Sequence, residues 1–293
     1  MVIVKLSGGL ANQMFPYAAG RRLAWHLGTE LKLDVSAFSA YRQPYSVDFR
    51  QYVLGVFNIV ENFATPEEIL ELTVRGKTLL EKLLGRSAGR PGSFVREKHF
   101  HFDQSILHLR GDIYLAGNWN NPGYFSDAEQ VIRQEFTWRQ PPDGMNLTVL
   151  GNIARGNSVS IHVRRGDYVE NPKVRAVHGY CDLDYFQRAA RYVARLVENP
   201  HFFVFSDDPG WVRQHLTLQW PMTIVEHNDA MHGHEDMRLM KSCKHNIIAN
   251  SGFSWWAAWL NDSPDKIVVA PKRWFSTSKY DDRGLMPPGW VRL

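Results

Sequence analysis

The chain has 293 residues, 44% of them hydrophobic and 22% charged, the composition of a soluble globular protein long enough for roughly two domains. A formal charge of +4 favours anionic partners without choosing among a phosphorylated small molecule, a membrane surface and a nucleic acid. Two cysteines, Cys181 and Cys243, stand outside any CxxC or zinc spacing, which excludes a disulfide framework and a zinc knuckle and makes a reducing compartment the simpler expectation.

Residues 2–6 form a β-branched run, too short for the apolar core of a signal peptide, and no run in the chain approaches a membrane span. Ser7, Gly8 and Gly9 read as a turn, residues 11–27 carry apolar side chains at helical spacing, and residues 31–35 read as a second strand. This is a βαβ opening whose glycines let the backbone approach a ligand at the helix start, although the full GxGxxG pattern is missing. Pro16 inside the helical pattern predicts a kink or a late helix start.

Periodicity is weak over residues 36–110. Thr65, Pro66, Glu67 and Glu68 read as a capping box that opens a helix toward Leu84. Gly76, Lys77 and Thr78 resemble the tail of a P-loop, but Glu71 stands where that loop requires glycine. The basic residues of the 75–90 stretch suit either a solvated helix face or an anionic membrane. Residues 113–116 read as a strand, residues 126–136 as a helix, and Gln140 to Gly144 as a linker. The sequon at Asn146 is a short match that we discount.

Beyond the linker, strand runs at 158–163, 202–205, 223–225, 246–249 and 267–269 alternate with helical patterns at 183–197, 209–216, 235–241 and 253–260. Such alternation predicts a parallel sheet with helices on both faces. The expected fold is α/β: two Rossmann-like lobes, residues 1–144 and 145–293, with parallel sheets facing a central cleft.

The stretch HVRRGDYV, from His162, places Arg164, Arg165 and Asp167 where a strand gives way to a loop, the place where open α/β sheets bind ligands. The arginines are permanently cationic forks suited to phosphate oxygens. Taken alone, a surface ion pair fits the stretch equally well. The other strands end in kind: Ser206, Asp207 and Asp208; Glu226, His227 and Asn228; Asn250, Ser251 and Gly252. Ser251 and Ser254 open an aromatic helix whose first amides suit an anion, or simply cap it. Asp236, in the first turn of another helix, suits a guanine ring or a ribose. The histidines 227, 232 and 234 lie in a loop without a third ligand at helical spacing, and Trp255, Trp256 and Trp259 fall on the spacing of core residues. No nucleophile elbow or zinc-peptidase helix is present. Fixed positive charge with helix-start amides suits a departing diphosphate without a metal ion or cofactor.

Three stretches together resemble one family. SGGLANQMFPYAAGRRLA, HVRRGDYV and NSGFSWWAAWLN are similar to the bacterial α-1,2-fucosyltransferases of glycosyltransferase family 11, with FSDD and EDMRLMKSCKHNIIAN as further matches. The resemblance implies a GT-B arrangement, with GDP-fucose on the C-terminal lobe and the acceptor on the N-terminal lobe. It implies inverting, metal-independent transfer of L-fucose to a galactose 2-hydroxyl. Residue by residue, Arg164 would neutralise the leaving diphosphate, Asp167 would support it and Asn12 would approach the diphosphate from the glycine turn. Gly8, Gly9, Arg165, Ser206, Asp207, Asp236, Ser251, Phe253 and Ser254 complete the binding set, and His162, Asp167 and a carboxylate of the first lobe are the candidates for a general base. The pair Asn120 and Asn121 departs from the family pattern, in a segment the resemblance puts on the acceptor side. A cytoplasmic enzyme of O-antigen biosynthesis, touching the inner membrane peripherally, is the implied setting. A GDP- or glycan-binding protein without turnover and a transferase using another nucleotide-sugar are the alternatives.

Overall fold

The computed structural model describes residues 1–39, 51–73 and 94–293, which divide into two compact units: Met1–Arg139 with Arg283–Leu285, and Gln140–Asp282 with Met286–Leu293. The P-loop-like residues 76–78, the basic stretch 75–90 and the expected helix beyond Thr73 lie outside the described residues. The sequence reading draws the boundary at 144, whereas the chain enters the second unit at Gln140, whose carbonyl accepts from Arg238 at 2.8 Å. Residues 283–285 return to the first unit, where the Arg283 carbonyl accepts from Asn121.

In the first unit the described residues form a four-stranded, all-parallel sheet. Its strands are β1 (Val2–Lys5), β2 (Leu31–Asp34), β3 (Phe94–Arg96) and β4 (Ile113–Ala116), in the order β2-β1-β4-β3. Helix α1 (Leu10–Leu27) runs through Pro16 and begins ahead of it, so the late start expected from the sequence does not occur. The helix start is fixed by Gln13, which is fully buried. Its Nε2 donates to the Gly8 carbonyl at 2.9 Å and the Gln51 carbonyl at 2.8 Å, while its Oε1 accepts from the Val53 amide at 3.0 Å. The capping box exists as read: Thr65 Oγ1 accepts from the Glu68 amide at 3.3 Å and Glu68 Oε2 from the Thr65 amide at 2.9 Å, opening α2 (Pro66–Thr73), and the helix expected over 126–136 is α3 (Glu129–Glu135).

The second unit holds a six-stranded, all-parallel sheet. Its strands are β5 (Asn157–Val163), β6 (Pro200–Ser206), β7 (Met222–Val225), β8 (His245–Ile247), β9 (Val268–Ala270) and β10 (Val291–Arg292), in the order β10-β9-β8-β5-β6-β7. Counted from β5, this is the doubly wound order 3-2-1-4-5-6, and its direction of winding reverses between β5 and β8. Residues 158–163 are all buried, as a strand covered on both faces demands, which is why its sequence reads as a run rather than an alternation. Val159, Ile161 and Val163 pack with Phe186, Ala189 and Val193 of α7 (Leu183–Ala194) and with Val204 of β6. Each valine, isoleucine and phenylalanine among them contributes roughly 1.5–3 kcal/mol by burial. Trp255, Trp256 and Trp259 are core residues of α10 (Gly252–Leu260), with Trp255 and Trp256 in edge contact at 5.2 Å.

Three α-helices and one strand of this unit escape the sequence reading: α4 (Gly144–Ala154), α5 (Gly166–Glu170), α6 (Pro172–His178) and the two-residue β10. Helix α8 (Pro209–His215) and helix α9 (Gly233–Ser242) lie where the patterns place them.

Candidate active site

The carboxyl ends of β5, β6 and β8 lie side by side, and the loops that leave them carry most of the expected site. Arg164 follows β5 directly and is gripped from two directions. One terminal nitrogen reaches Asp167 Oδ1 at 2.5 Å and the other reaches Asp207 Oδ2 at 2.8 Å. Its guanidinium carbon stands 5.4 Å from the centre of the Tyr168 ring. Burial by itself would weaken the guanidinium's hold on its proton. Asp207 and Asp167 overcome that effect, and the net displacement is upward, so Arg164 is a fixed cation. Asp207, in turn, is pushed up by burial against the opposing pull of Arg164.

The glycine of HVRRGD has a steric reason. A Cβ on Gly166 would lie 2.6 Å from Asp207 Oδ2, so only glycine lets that carboxylate reach Arg164 while its other oxygen accepts the Arg165 amide at 2.8 Å. Arg165 turns to a different task. It lies 3.6 Å over the Trp211 ring and pairs with Asp208 at 3.3 Å, while Asp208 caps α8 by accepting the Trp211 amide at 3.0 Å. Ser206 is likewise engaged within the fold, donating to the Val163 carbonyl at 2.8 Å and accepting from the Asp208 amide at 3.0 Å.

Across the switch point from β5, Asn250 fastens the end of β8. Its amide donates to the carbonyls of His178 at 2.7 Å and Trp274 at 3.2 Å, and its own carbonyl accepts the Tyr168 hydroxyl at 3.3 Å. Ser251 then caps α10, accepting from the Phe253 amide at 3.3 Å, and Ser254 donates back to the Ser251 carbonyl at 3.3 Å. Phe253 packs 5.5 Å from the His162 ring and faces Gly233 at the start of α9. His162 itself is buried, and burial, aided by the charge of Arg164, lowers its imidazole to about 3. It is a neutral core side chain at neutral pH.

Asp236 belongs to a second network of the same unit. It accepts from Asn228 at 2.8 Å, and Asn228 exchanges amide hydrogen bonds with Asn146 at 2.9 and 3.1 Å. Asn146 also meets the His227 ring at 2.9 Å. Burial lifts the Asp236 carboxyl to about 7, the Asn228 bond working against the rise. The sequence shows Asn146 only as the head of a sequon, whereas here it is a buried strut under Asp236. His232 bonds Asp229 at 2.7 Å and His234 faces Glu235 at 3.4 Å, so the three histidines disperse onto separate partners.

Gly8, Gly9 and Asn12 sit at the carboxyl end of β1 in the first unit, with Gly8 at φ 75°, Gly9 ahead of α1 without a side-chain cap, and Asn12 exposed. At this sheet's own reversal, between β1 and β4, they neighbour the loop after β4. Glu97, which the sequence reading passes over, binds that loop through two backbone amides.

A doubly wound sheet with a carboxylate-clamped arginine at its switch point is an architecture suited to an anionic ligand. Solved fucosyltransferases share the fold across both units. NodZ α-1,6-fucosyltransferase co-crystallized with GDP superposes with a TM-score of 0.54 at 16% identity, covering 87% of this chain and 91% of that one. An arginine-to-lysine mutant of Arabidopsis thaliana FUT1 in complex with GDP gives 0.53 at 10% identity, covering 95% and 72%. In sequence, the model of glycosyl transferase family 11 matches residues 97–293. An α-1,2-colitosyltransferase of Escherichia coli is 32% identical over 100% of this chain and 99% of its own. The O-antigen biosynthesis glycosyltransferase WbnK of Escherichia coli is 31% identical over 98% and 99%. Human galactoside α-(1,2)-fucosyltransferase 1 is 28% identical over 47% of this chain and 40% of its own. The chain belongs to glycosyl transferase family 11 and is a glycosyltransferase.

Proposed function

We propose that this enzyme transfers L-fucose from GDP-fucose to the 2-hydroxyl of a galactose residue in a glycan acceptor, with inversion and without a metal ion. The observation that carries the reading is Arg164, held by Asp167 and Asp207 at the switch point of the second unit. In the step, the acceptor oxygen bonds to the fucose anomeric carbon as the bond from that carbon to the phosphate oxygen breaks. GDP leaves with the electron pair, and the proton of the acceptor hydroxyl passes to solvent water. Arg164 meets the charge that grows on the diphosphate, and because its carboxylates hold it in place it need not reorganise as that charge develops. Asp167 and Asp207 are positioning residues in this scheme. Asp236 receives the guanine ring, while Ser251 and Ser254 shape the start of α10 beside the diphosphate. We assign His162 to packing rather than proton transfer, since an imidazole lowered to about 3 is too weak a base for a sugar hydroxyl.

The test is GDP release from GDP-fucose in the presence of a chelator, across lactose, N-acetyllactosamine and Gal-β-1,3-GalNAc. Acceptor-dependent release is expected. Hydrolysis that ignores the acceptor, or release only on adding a divalent metal, would overturn the reading. The full-length similarity to a colitosyltransferase supports a second donor. Colitose differs from fucose by the loss of the 3-hydroxyl, so kcat/KM for the two GDP-sugars decides between them. The WbnK relative and the free thiols of Cys181 and Cys243 support a cytoplasmic place in O-antigen assembly. Among the described residues no helix is long and apolar enough to cross a membrane.

A further inference from the structure

The loop that leaves β4 in the first unit keeps polar atoms that the fold does not use. Glu97 follows β3, and its amide donates to the Ala116 carbonyl at 2.9 Å, which sets it beside the end of β4. Its carboxylate divides in two. Oε2 accepts the amides of Asn118 at 2.7 Å and Trp119 at 3.2 Å, while Oε1 is buried without a hydrogen-bond partner among the described residues. Trp119 sits at φ 52°, a left-handed conformation that strains a non-glycine residue, and the Glu97 bonds hold it there. Its indole is 1% exposed, in edge contact with Tyr124 at 5.3 Å. Nε1 of that indole and Oδ1 of the next residue, Asn120, are also buried without partners among the described residues. Gly117 brings the first two groups together. A Cβ there would lie 2.4 Å from Glu97 Cβ and 3.1 Å from Trp119 Cε2, the atom bonded to Nε1.

A buried polar atom left unpaired is destabilising, so three of them gathered in one strained loop call for a partner from outside the loop. The set reads acceptor, donor, acceptor. Adjacent hydroxyls of a pyranose each donate and accept, and they match it; an anionic sugar would be repelled by the carboxylate. We propose that Glu97, Trp119 and Asn120 form a subsite for a neutral pyranose, whose hydroxyls donate to Glu97 Oε1 and Asn120 Oδ1 and accept from Trp119 Nε1. That this pyranose belongs to the glycan acceptor rests on the transferase reading above.

The test uses the full chain labelled with ¹⁵N, in which 10 tryptophans give as many indole N–H signals and Trp119→Phe identifies one of them. Lactose, N-acetyllactosamine and Gal-β-1,3-GalNAc are titrated, and GDP separately. We expect a galactoside to shift the Trp119 signal and GDP to leave it in place. Trp119→Phe, Asn120→Ala and Glu97→Gln should each raise the acceptor KM about tenfold, with the donor KM within about twofold and GDP binding intact as the check on folding. A Trp119 signal unmoved by every saccharide overturns the subsite, whether or not transfer is seen. A signal that moves without any transfer keeps the subsite and overturns the transferase reading instead.

Discussion

The two parallel sheets present their carboxyl edges very differently. At the edge of the six-stranded sheet, Arg164, Arg165, Asp167, Asp207 and Asp208 pair charge with charge. At the edge of the four-stranded sheet, Glu97 spends one oxygen on backbone amides, and an indole N–H and a side-chain amide oxygen stay unpaired among the described residues. A preformed set of ion pairs suits a charged ligand, because the protein's own carboxylates keep the cation in place before the ligand arrives. Unpaired neutral donors and acceptors suit hydroxyls, which bring both functions and no net charge. On the proposed reading, two parallel sheets of different strand order would serve two kinds of recognition, chosen by the side chains that leave the strands.

The largest effect should come from removing the cation. Arg164→Ala should lower turnover by about a hundredfold or more, and Arg164→Lys should recover little, since it keeps the charge and loses the fork. Stopped kinetics of GDP release with folding checked by circular dichroism measures this, and normal turnover in the alanine variant would remove Arg164 from the mechanism.

A matched glycine pair sharpens the contrast. Gly166→Ala sets a methyl 2.6 Å from Asp207 Oδ2 and should damage donor use about tenfold, leaving the acceptor KM nearly unchanged. Gly117→Ala sets one 2.4 Å from Glu97 Cβ and should do the reverse. Equal damage to both substrates from either variant would erase the division of labour between the edges.

A smaller effect concerns pH. Asp236 is raised to about 7 from 3.8, so over that interval the folded chain keeps a proton the unfolded chain has released. Its contribution to stability is complete below the lower value and is lost as pH rises through the upper one. Melting temperatures of the native chain should therefore fall from pH 5 to 8 relative to Asp236→Asn. If the carboxylate accepts from guanine N–H groups, GDP affinity should climb about tenfold from pH 6 to 8 in the native chain and stay level in the variant. Level affinity in both would detach Asp236 from the base.

The smallest effect lies away from both edges. Thr65→Ala removes the capping hydroxyl of α2 and should cost about 1 kcal/mol, read as a modest fall in melting temperature with kinetics unchanged. A kinetic change there would mean that the edges are not local devices.

The β5 strand and the polar residues after it were legible in the sequence because a strand buried on both faces must be apolar throughout, and its abrupt end exposes Arg164. The capping box at Thr65 was legible for the same local reason. Helices α5 and α6 were not, since each is under two turns and neither shows an apolar stripe. Helix α4 hid behind its Gly144, Thr148 and Val149, residues of low helix propensity, and behind the sequon within it. Glu97, Gln13 and Asn146 act through partners distant in sequence, which no spacing rule reaches. Gln13 lies beside Asn12 in the quoted motif, so the motif pointed to the right place while the buried hydrogen bonds show which of the two amides holds the turn.

The central place of β5 also governs how the second unit is made. Ser160 pairs across the sheet with Asn246, whose side chain it holds through its hydroxyl, a partner 86 residues further along the chain. During synthesis this strand therefore leaves the ribosome with one flank open until β8 follows, and loop closure over that distance is slow compared with helix formation. An apolar, unpaired strand is prone to join another chain. A lower expression level, which keeps nascent chains apart during that interval, should accordingly raise the soluble yield of this enzyme.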